Sequence, residues 1–288
     1  MSHVPVHLLN ADHLDAVPAH ALNARRNDHN RALRHAQYLI RRKQDGRYLG
    51  LIGRWNGMLQ FRAWQDRSCS VEQLDPLLAM LGLRRRDALH GRRPIRLAQL
   101  PNWQLALPGV GNVLLDWLDR LNAMGIDALA YSESTGLPWQ FEPPILRYAG
   151  RDRFQRPLWL IDSAAKSWAR MRRAAAADDV TLDAISGFRG YAYQYGIFQR
   201  KLARGLSIEQ ILKVNAAPGF SEHHTGRALD IGFPGEPSAE ESFEHTPAYA
   251  WLDQHANEFG FHLSYPRNNP HGISFEPWHW CWHAALPM

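Results

Sequence analysis

The amino-acid sequence predicts an α+β protein: a small antiparallel sheet with helices, preceded by a second α+β unit. Three local signals support this prediction. Asn56-Gly57 stands between two segments of strand character, which is a strong hairpin signal. Ser207 and Gln210 have the spacing of a capping box at the start of a helix. The tryptophans from Trp278 to Trp282 occupy alternate positions, and a period of two is typical of a strand.

The first half of the chain is expected to combine helices with one hairpin. The predicted elements are a helix near His29 to Lys43, a hairpin of Tyr48 to Arg54 with Met58 to Trp64, and helices from Val71 to Leu81 and from Val113 to Met124. The proline-rich stretch from Leu137 to Ile145 is the best linker candidate. We therefore place a domain boundary there, with residues 1–145 as an accessory domain of unknown role and residues 146–288 as the second domain.

The second half has clearer helix starts and ends. The predicted helices run from Ser163 to Ala177, from Tyr191 to a stop before Gly205, from a cap at Ser207, and from Thr246-Pro247 to Gly260. The predicted strands are Thr181 to Ser186, Leu229 to Phe233, Phe261 to Tyr265 and Phe275 to His283. This order indicates a few-stranded antiparallel sheet with helices.

Composition limits the classes of protein that remain. A chain of 288 residues with 45% hydrophobic content can bury a substantial core. Its two cysteines, Cys69 and Cys281, are too few for a disulfide framework or a zinc site built of thiolates. We expect two free thiols, with a single bridge as the alternative.

Basic charge is concentrated in the first half. Residues 1–150 hold 19 Lys and Arg against 13 Asp and Glu, whereas residues 151–288 hold 14 against 15. The basic clusters are Arg41-Arg42-Lys43, Arg84-Arg85-Arg86 and Arg92-Arg93. A solvated basic face is the commoner explanation, and contact with an anionic polymer is the alternative. None of the clusters lies in a recognisable nucleic-acid-binding motif, so no specific nucleic-acid partner is expected.

Two short segments supply the residues of a hydrolytic metal site. A catalytic zinc takes about three protein ligands from histidine and carboxylate, leaves a position for water, and works beside a carboxylate base. His223, Asp230 and His279 are the candidate ligands and Glu276 is the candidate base. Gly226 permits a tight bend between the first two ligands. We expect Pro277 to interrupt the strand ladder, so that Glu276 and His279 converge.

Neighbouring histidines have to be weighed against these ligands. His224 is adjacent to His223, but Ser221 two residues before His223 and Gly226 three after it favour His223 as the ligand. The remaining histidines are expected at the surface or in hydrogen bonds, with His271 and His283 as secondary candidates for the site.

The same residues carry a family resemblance. The pattern Ser-x-His-x-x-Gly-x-Ala-x-Asp from Ser221 to Asp230, the later Glu-Pro-Trp-His ending at His279, and the earlier Ser186-Gly187-Phe188-Arg189 with Gln194 occur in the order of a known family. The chain resembles the zinc D-alanyl-D-alanine carboxypeptidases of the vancomycin-resistance type, over residues 145–288. The first half carries no such resemblance.

The resemblance implies a role for each matching residue. One zinc ion would be bound by His223, Asp230 and His279, with Glu276 as the general base that activates water. Arg189 would hold the carboxylate or carbonyl of the substrate, for which a planar guanidinium is suited. Gln194 and Ser221 would form hydrogen bonds near the substrate. The implied fold is the hedgehog-like α+β domain of D-Ala-D-Ala peptidases.

Three functions stay open at this stage. The resemblance favours a D,D-carboxypeptidase that removes the terminal D-alanine of peptidoglycan stem peptides, muropeptides or precursors. A peptidoglycan endopeptidase of lysin type is the second, and a non-catalytic zinc-binding domain is the third, although the presence of Glu276 speaks against it. Cobalt or nickel would fit the same ligands as zinc.

The start of the chain bears on where it acts. Residues 1–30 contain no apolar run long enough for a signal peptide or a membrane span. The sequence therefore predicts a cytoplasmic start, and action at the cell envelope would need another export route or lysis.

Overall fold

A computed structural model of the chain describes residues 6–22, 33–34, 36–55, 58–64, 74, 77, 80 and 111–284. Within these ranges it has two antiparallel sheets with helices packed on them, which confirms the α+β class. The first sheet consists of β1 (His7–Asn10), β2 (Leu14–Pro18), β3 (Ala36–Arg42), β4 (Tyr48–Trp55), β5 (Met58–Ala63), β6 (Ile145–Arg151) and β7 (Pro157–Leu160). The second consists of β8 (Asp183–Ser186), β9 (Ala228–Gly232), β10 (Phe261–Leu263) and β11 (His279–Trp282). The helices with described bounds are α1 (Gly111–Ala123), α2 (Ala128–Thr135), α3 (Asp162–Ala177), α4 (Tyr191–Leu202), α5 (Ile208–Leu212) and α6 (Pro247–His255).

The first sheet joins the two halves of the chain. Its strand order is β5-β4-β3-β2-β1-β6-β7, and β1 pairs antiparallel with β6 so that Leu8 lies opposite Leu146. Strands from both sides of the boundary placed at residue 145 therefore belong to one sheet. The boundary itself stays a prediction.

The proline-rich stretch from Leu137 to Ile145 was predicted as a linker, and this was wrong. Leu137, Trp139 and Phe141 are buried, with Trp139 only 1% exposed. Their side chains belong to an apolar cluster that includes residues of α1, α2 and α4. The stretch is therefore a packed segment despite its prolines, because burial of its large apolar side chains is favourable.

The helix predicted near His29 to Lys43 was also wrong over the residues that form β3. Tyr38, Leu39 and Ile40 are buried in succession, because β3 lies inside the sheet and both of its faces are covered by apolar side chains. A strand buried on both faces lacks the alternation that distinguishes it from a helix. Residues 29–32 and 35 lie outside the described ranges, and residues 33–34 are helical.

Most other predicted elements are confirmed. β4 and β5 form the expected hairpin, with Trp55 paired to Met58, although Asn56-Gly57 lies outside the described residues. Residues 74, 77 and 80 are helical, as predicted. The capping box of Ser207 and Gln210 starts α5. The Thr246 side chain accepts a hydrogen bond from the Tyr249 backbone at the start of α6.

One apolar cluster holds the two sheets together. Trp168 and Met171 of α3 lie in the same cluster as Leu160 of β7 and Leu229 of β9. Since α3 packs between strands of both sheets, the second sheet is fixed in place against the first. No helix in the described ranges is both long enough and apolar enough to span a membrane.

The basic cluster Arg41-Arg42-Lys43 is neutralised by ion pairs. Arg41 lies 2.5 Å from Asp15, Arg42 lies 2.5 Å from Asp45, and Lys43 lies 2.7 Å from Glu142. This pairing gives no support to contact with an anionic polymer through these three residues. The other two predicted clusters lie outside the described ranges.

Candidate metal centre

Two neighbouring strands bring the first pair of predicted ligands together. β9 and β11 pair antiparallel, and their register places Asp230 directly opposite His279. Side chains of directly opposed residues lie on the same face of a sheet within reach of each other. The Nδ1 atom of His279 is accordingly 3.1 Å from Oδ1 of Asp230.

A tight bend brings the third ligand to the same point. His223 lies in a short 3-10 helix (Glu222–Thr225) that ends at Gly226 in the left-handed region, with φ of 65°, before β9 begins. The Nε2 atom of His223 lies 3.2 Å from Oδ1 of Asp230. The donor atoms of His223, Asp230 and His279 all lie within 4.8 Å of one another and could hold a metal ion. All three residues are buried.

The second ring nitrogen of each histidine has its own acceptor. Nδ1 of His223 lies 2.7 Å from the carbonyl oxygen of Gly187, and Nε2 of His279 lies 2.9 Å from Oε2 of Glu222. Because these oxygens only accept, each of those nitrogens carries the hydrogen in a neutral ring. The lone pairs of His223 Nε2 and His279 Nδ1 then face Asp230. Two imidazole lone pairs converging on a carboxylate are suited to a divalent cation.

The pKa values of the two histidines shift in opposite directions. Burial lowers the pKa of His223 to about 4, and the Arg189 guanidinium lowers it further. Burial also disfavours the charged form of His279, but hydrogen bonds to Asp230 and Glu222 outweigh it and raise the pKa to about 10. A metal ion bound here would therefore have to displace a proton from His279.

Glu276 lies beside the cluster, outside the strand ladder as expected. Pro277 belongs to a turn that precedes β11, and the backbone N–H of His279 donates to the Glu276 carbonyl at 3.1 Å. The Oε2 atom of Glu276 is 3.8 Å from His279 Nδ1. Burial raises the pKa of Glu276 to about 7, and the carboxylates of Asp230 and Glu222 contribute to the rise. A carboxylate with such a pKa can both accept and return a proton near neutral pH.

Arg189 borders the same point from the loop after β8. Its backbone N–H donates to the His223 carbonyl at 3.2 Å, and its Nη1 lies 3.6 Å from Oδ2 of Asp230. The Nε atom is buried and has no hydrogen-bond partner among the residues that the structure describes. A buried guanidinium donor of this kind is available to a bound acceptor.

Gln194 and Ser221 line the same small cavity. Gln194 of α4 is fully buried, and its Nε2 donates to the Ala216 carbonyl at 2.9 Å. Its Oε1 lacks a partner within the described part of the chain. Together with Arg189, Ser221 and Glu276 it lines a cavity of about 20 Å³. That volume holds about one water molecule.

The other histidines are held elsewhere. His224 donates from Nδ1 to the Arg189 carbonyl at 2.6 Å and accepts at Nε2 from the Gly219 backbone, so it supports the loop that carries Arg189. His271 lies 2.8 Å from the Thr135 carbonyl. His283 lies close to Glu222 and Cys281 rather than to Asp230.

Two residues of the site were missed by the sequence reasoning. Glu222 occupies the variable position between Ser221 and His223, yet it binds a histidine 57 positions away. Tyr265 is buried with its ring 4.9 Å from that of His279. No local pattern marks either contact, because both depend on the pairing of distant segments.

Comparisons with known proteins point to the same region. A family model described as D-alanyl-D-alanine carboxypeptidase (VanY) matches residues 158–285. The chain is 32% identical over 152 residues to the Bacillus subtilis protein YodJ, covering 50% of this chain and 55% of that protein. It is also 32% identical over 145 residues to VanXYC of Enterococcus gallinarum, a bifunctional D-Ala-D-Ala dipeptidase and carboxypeptidase, covering 48% of this chain and 73% of that protein.

A solved structure is also similar to part of this chain. It is a mutant of the vancomycin-resistance D,D-pentapeptidase VanY in complex with Zn(II), 30% identical, covering 43% of this chain and 73% of that chain with a TM-score of 0.37. The chain spans about half the length of YodJ, and the matches leave most of the first half uncovered.

Proposed function

This chain belongs to the VanY family of D-alanyl-D-alanine carboxypeptidases, and on that basis we propose that residues 146–288 act as a zinc-dependent D,D-carboxypeptidase. The proposed substrate is the D-Ala-D-Ala end of a peptidoglycan stem peptide or precursor, and one product is free D-alanine. The observation that carries the proposal is the convergence of His223, Asp230 and His279 on one point beside Glu276.

The donor set suits one zinc ion. Two imidazole nitrogens and one carboxylate oxygen are ligands that catalytic zinc takes, with a further position left open. The Gly187 carbonyl and the Glu222 carboxylate orient the two rings for this role. When bound, zinc would lower the pKa of a water molecule to about 7 and polarise the scissile carbonyl.

Glu276 is the proposed proton carrier. Its carboxylate would accept the proton of the attacking water and then return it to the amine that leaves with the terminal D-alanine. Burial raises the pKa of this carboxyl, which favours uptake of the proton. The reaction needs no covalent intermediate with the protein.

Arg189 and Gln194 are the proposed recognition residues. Arg189 and Gln194 line the cavity that also contains Glu276, and Arg189 Nε and Gln194 Oε1 have no hydrogen-bond partner among the described residues. A guanidinium pairs well with a carboxylate, and a carboxypeptidase substrate ends in one. Gln194 Oε1 would accept a hydrogen bond from the substrate backbone, with Ser221 beside it.

Product analysis tests the proposal. The zinc-loaded full chain is incubated with a UDP-muramyl pentapeptide and, separately, with cross-linked peptidoglycan, and the products are identified by mass spectrometry. Loss of one terminal D-alanine from the pentapeptide is the expected result. Cleavage of cross-linked material without free D-alanine would move the assignment to an endopeptidase, and no cleavage of either would favour a zinc-binding role.

A further inference from the structure

A second group of metal-binding side chains lies beside the first. Glu222, Cys281 and His283 each present a ligand atom, and these atoms all lie within 4.8 Å of one another. Cys281 lies in β11 and His283 follows the end of that strand. Side chains two residues apart in a strand point to the same side, so Cys281 lies on the same side as His279, two residues from it along the chain. We propose that Glu222, Cys281 and His283 bind a second transition-metal ion, for which zinc is the natural occupant.

A fourth ligand is within reach on the neighbouring strand. The register of β10 and β11 places His262 directly opposite Cys281. The rings of His262 and His283 are 5.4 Å apart, and both side chains are exposed enough to reorient. Glutamate, cysteine and two histidines together make a four-ligand set of the kind that closed zinc sites use.

The donor chemistry selects the class of ion. A thiolate with imidazole favours zinc, cobalt or copper, whereas calcium and magnesium require oxygen ligands throughout. The Cys281 side chain is buried, and the Glu222 carboxylate lies next to it. A bound cation supplies the positive charge that a buried thiolate needs.

One neighbouring charge opposes this site. Arg227 lies beside this strand end, where its backbone carbonyl accepts a hydrogen bond from the Trp282 N–H at 3.2 Å, and its guanidinium carries a positive charge. The two negative charges of the Glu222 carboxylate and a Cys281 thiolate would offset a divalent ion, so Arg227 weakens the site without excluding it. Cobalt and zinc affinity should therefore rise in Arg227→Gln.

Glu222 links the proposed ion to the first cluster. One of its oxygens already binds His279 Nε2, and a carboxylate has capacity for further partners on its other lone pairs. An ion held by Glu222 and Cys281 would fix that carboxylate and, through it, the orientation of the His279 ring. The second ion is therefore a positioning element.

Cobalt substitution provides a direct test. A thiolate bound to cobalt(II) absorbs by charge transfer in the near ultraviolet, whereas imidazole and carboxylate ligands do not. The full chain is stripped of metal, titrated with cobalt and monitored by absorbance, with metal content measured by mass spectrometry. We expect about two cobalt ions per chain and a charge-transfer band that saturates with one of them.

The chain contains its own control for the thiolate. Cys69→Ser should keep the band and about two ions, whereas Cys281→Ser should lose the band and retain about one. His283→Gln, at an exposed position that folding tolerates, should weaken the second ion. His245→Gln, whose ring is 79% exposed, should leave it unchanged.

The cobalt titration tests the second site independently of the proposed function, because the charge-transfer band requires no substrate. Absence of a charge-transfer band in the wild type, or its loss in Cys69→Ser alone, would overturn the second site. A band that persists in His223→Ala would show that it does not depend on the first cluster.

Discussion

The Nε2 atom of His279 lies 2.9 Å from Oε2 of Glu222, on the opposite side of the ring from Asp230. The imidazole is therefore held between two carboxylates. Asp230 is itself a predicted metal ligand, whereas Glu222 is not. Such outer partners fix the tautomer of a metal ligand and raise its basicity. The function of Glu222 follows from this arrangement rather than from its place in a motif.

Replacing Glu222 should weaken zinc binding at the first cluster. Outer-shell partners of metal ligands contribute about 10- to 100-fold in metal affinity, so Glu222→Gln should lie at the lower end of this range and Glu222→Ala at the upper end. The affinity is measured by competition with a chromogenic chelator in a Cys281→Ser background, where only the first cluster is expected to bind.

Glu258→Gln is the matched control for this change. Glu258 forms a hydrogen bond of 2.9 Å with the exposed His255, so the substitution also breaks a Glu–His contact. It should leave zinc affinity unchanged. Equal affinities of the wild type, Glu222→Gln and Glu222→Ala would show that the Glu222 contact has no role in metal binding.

Arg189→Lys should impair recognition of the substrate carboxylate. A lysine keeps the charge but loses the planar fork, so kcat/KM for a peptide with a free C-terminus should fall by about 100-fold. A peptide with an amidated C-terminus should be a poor substrate for both proteins, with little difference between them. Arg172→Lys, on the exposed side of α3, serves as the control. An equal loss on both peptides would contradict carboxylate binding by Arg189.

Gly226→Ala should destabilise the bend between His223 and Asp230. Gly226 has φ of 65°, and a Cβ there would meet Leu146 Cδ2 at 2.5 Å and the Ile161 backbone nitrogen at 3.2 Å. Gly235→Ala isolates the backbone effect, because Gly235 has φ of 84° with no atom within 4 Å of its Cβ position. The free energy of unfolding in urea should fall by about 1–3 kcal/mol more in Gly226→Ala. Similar losses in the two variants would refute close packing at Gly226.

Glu142 should contribute stability that depends on pH. It accepts hydrogen bonds from Asn10, from Lys43 and from the Tyr191 backbone at the start of α4, which joins the first half of the chain to the loop after Arg189. Although burial would raise its pKa, Lys43 and these hydrogen bonds lower it below 4.5. Because the pKa of Glu142 is lower in the folded state than in the unfolded state, its ionised form stabilises the protein above pH 4.5. This stability is lost as the pH falls through the folded-state pKa.

Urea unfolding of Glu142→Gln measures this contribution. At neutral pH the wild type should exceed the variant by about 2 kcal/mol in free energy of unfolding, and the gap should shrink as pH falls below 4.5. Glu133→Gln, at an exposed position of α2, is the matched control at neutral pH. A gap that stays constant between neutral pH and acid would contradict an ionised role for Glu142.

Much of the second half could be predicted from sequence because its signals are local. A capping box, a threonine cap before proline and a glycine after a helix each act within a few residues, so Ser207, Thr246 and Gly260 marked their elements correctly. The candidate ligands could be proposed from sequence for the same reason, because their residue types and spacing occur within two short segments.

The features that were missed depend on distant partners. Leu8 and Leu146 lie opposite each other in β1 and β6, and no short-range pattern indicates that pairing. β3 was mistaken for part of a helix because burial on both faces removes alternation. Trp139 was placed in a linker because prolines surround it, whereas its burial is decided by residues of other helices.

The most direct test of the central claim is the rate of D-alanine release by wild type and Glu276→Gln, measured with zinc content on the same samples. The substrate is a UDP-muramyl pentapeptide, and each protein is assayed after chelation and again after zinc is restored. The wild type should lose release on chelation and regain it with zinc, whereas Glu276→Gln should bind zinc normally and release D-alanine about 10²- to 10⁴-fold more slowly. Full activity in zinc-loaded Glu276→Gln, or wild-type release that does not depend on metal, would contradict the assignment of this site.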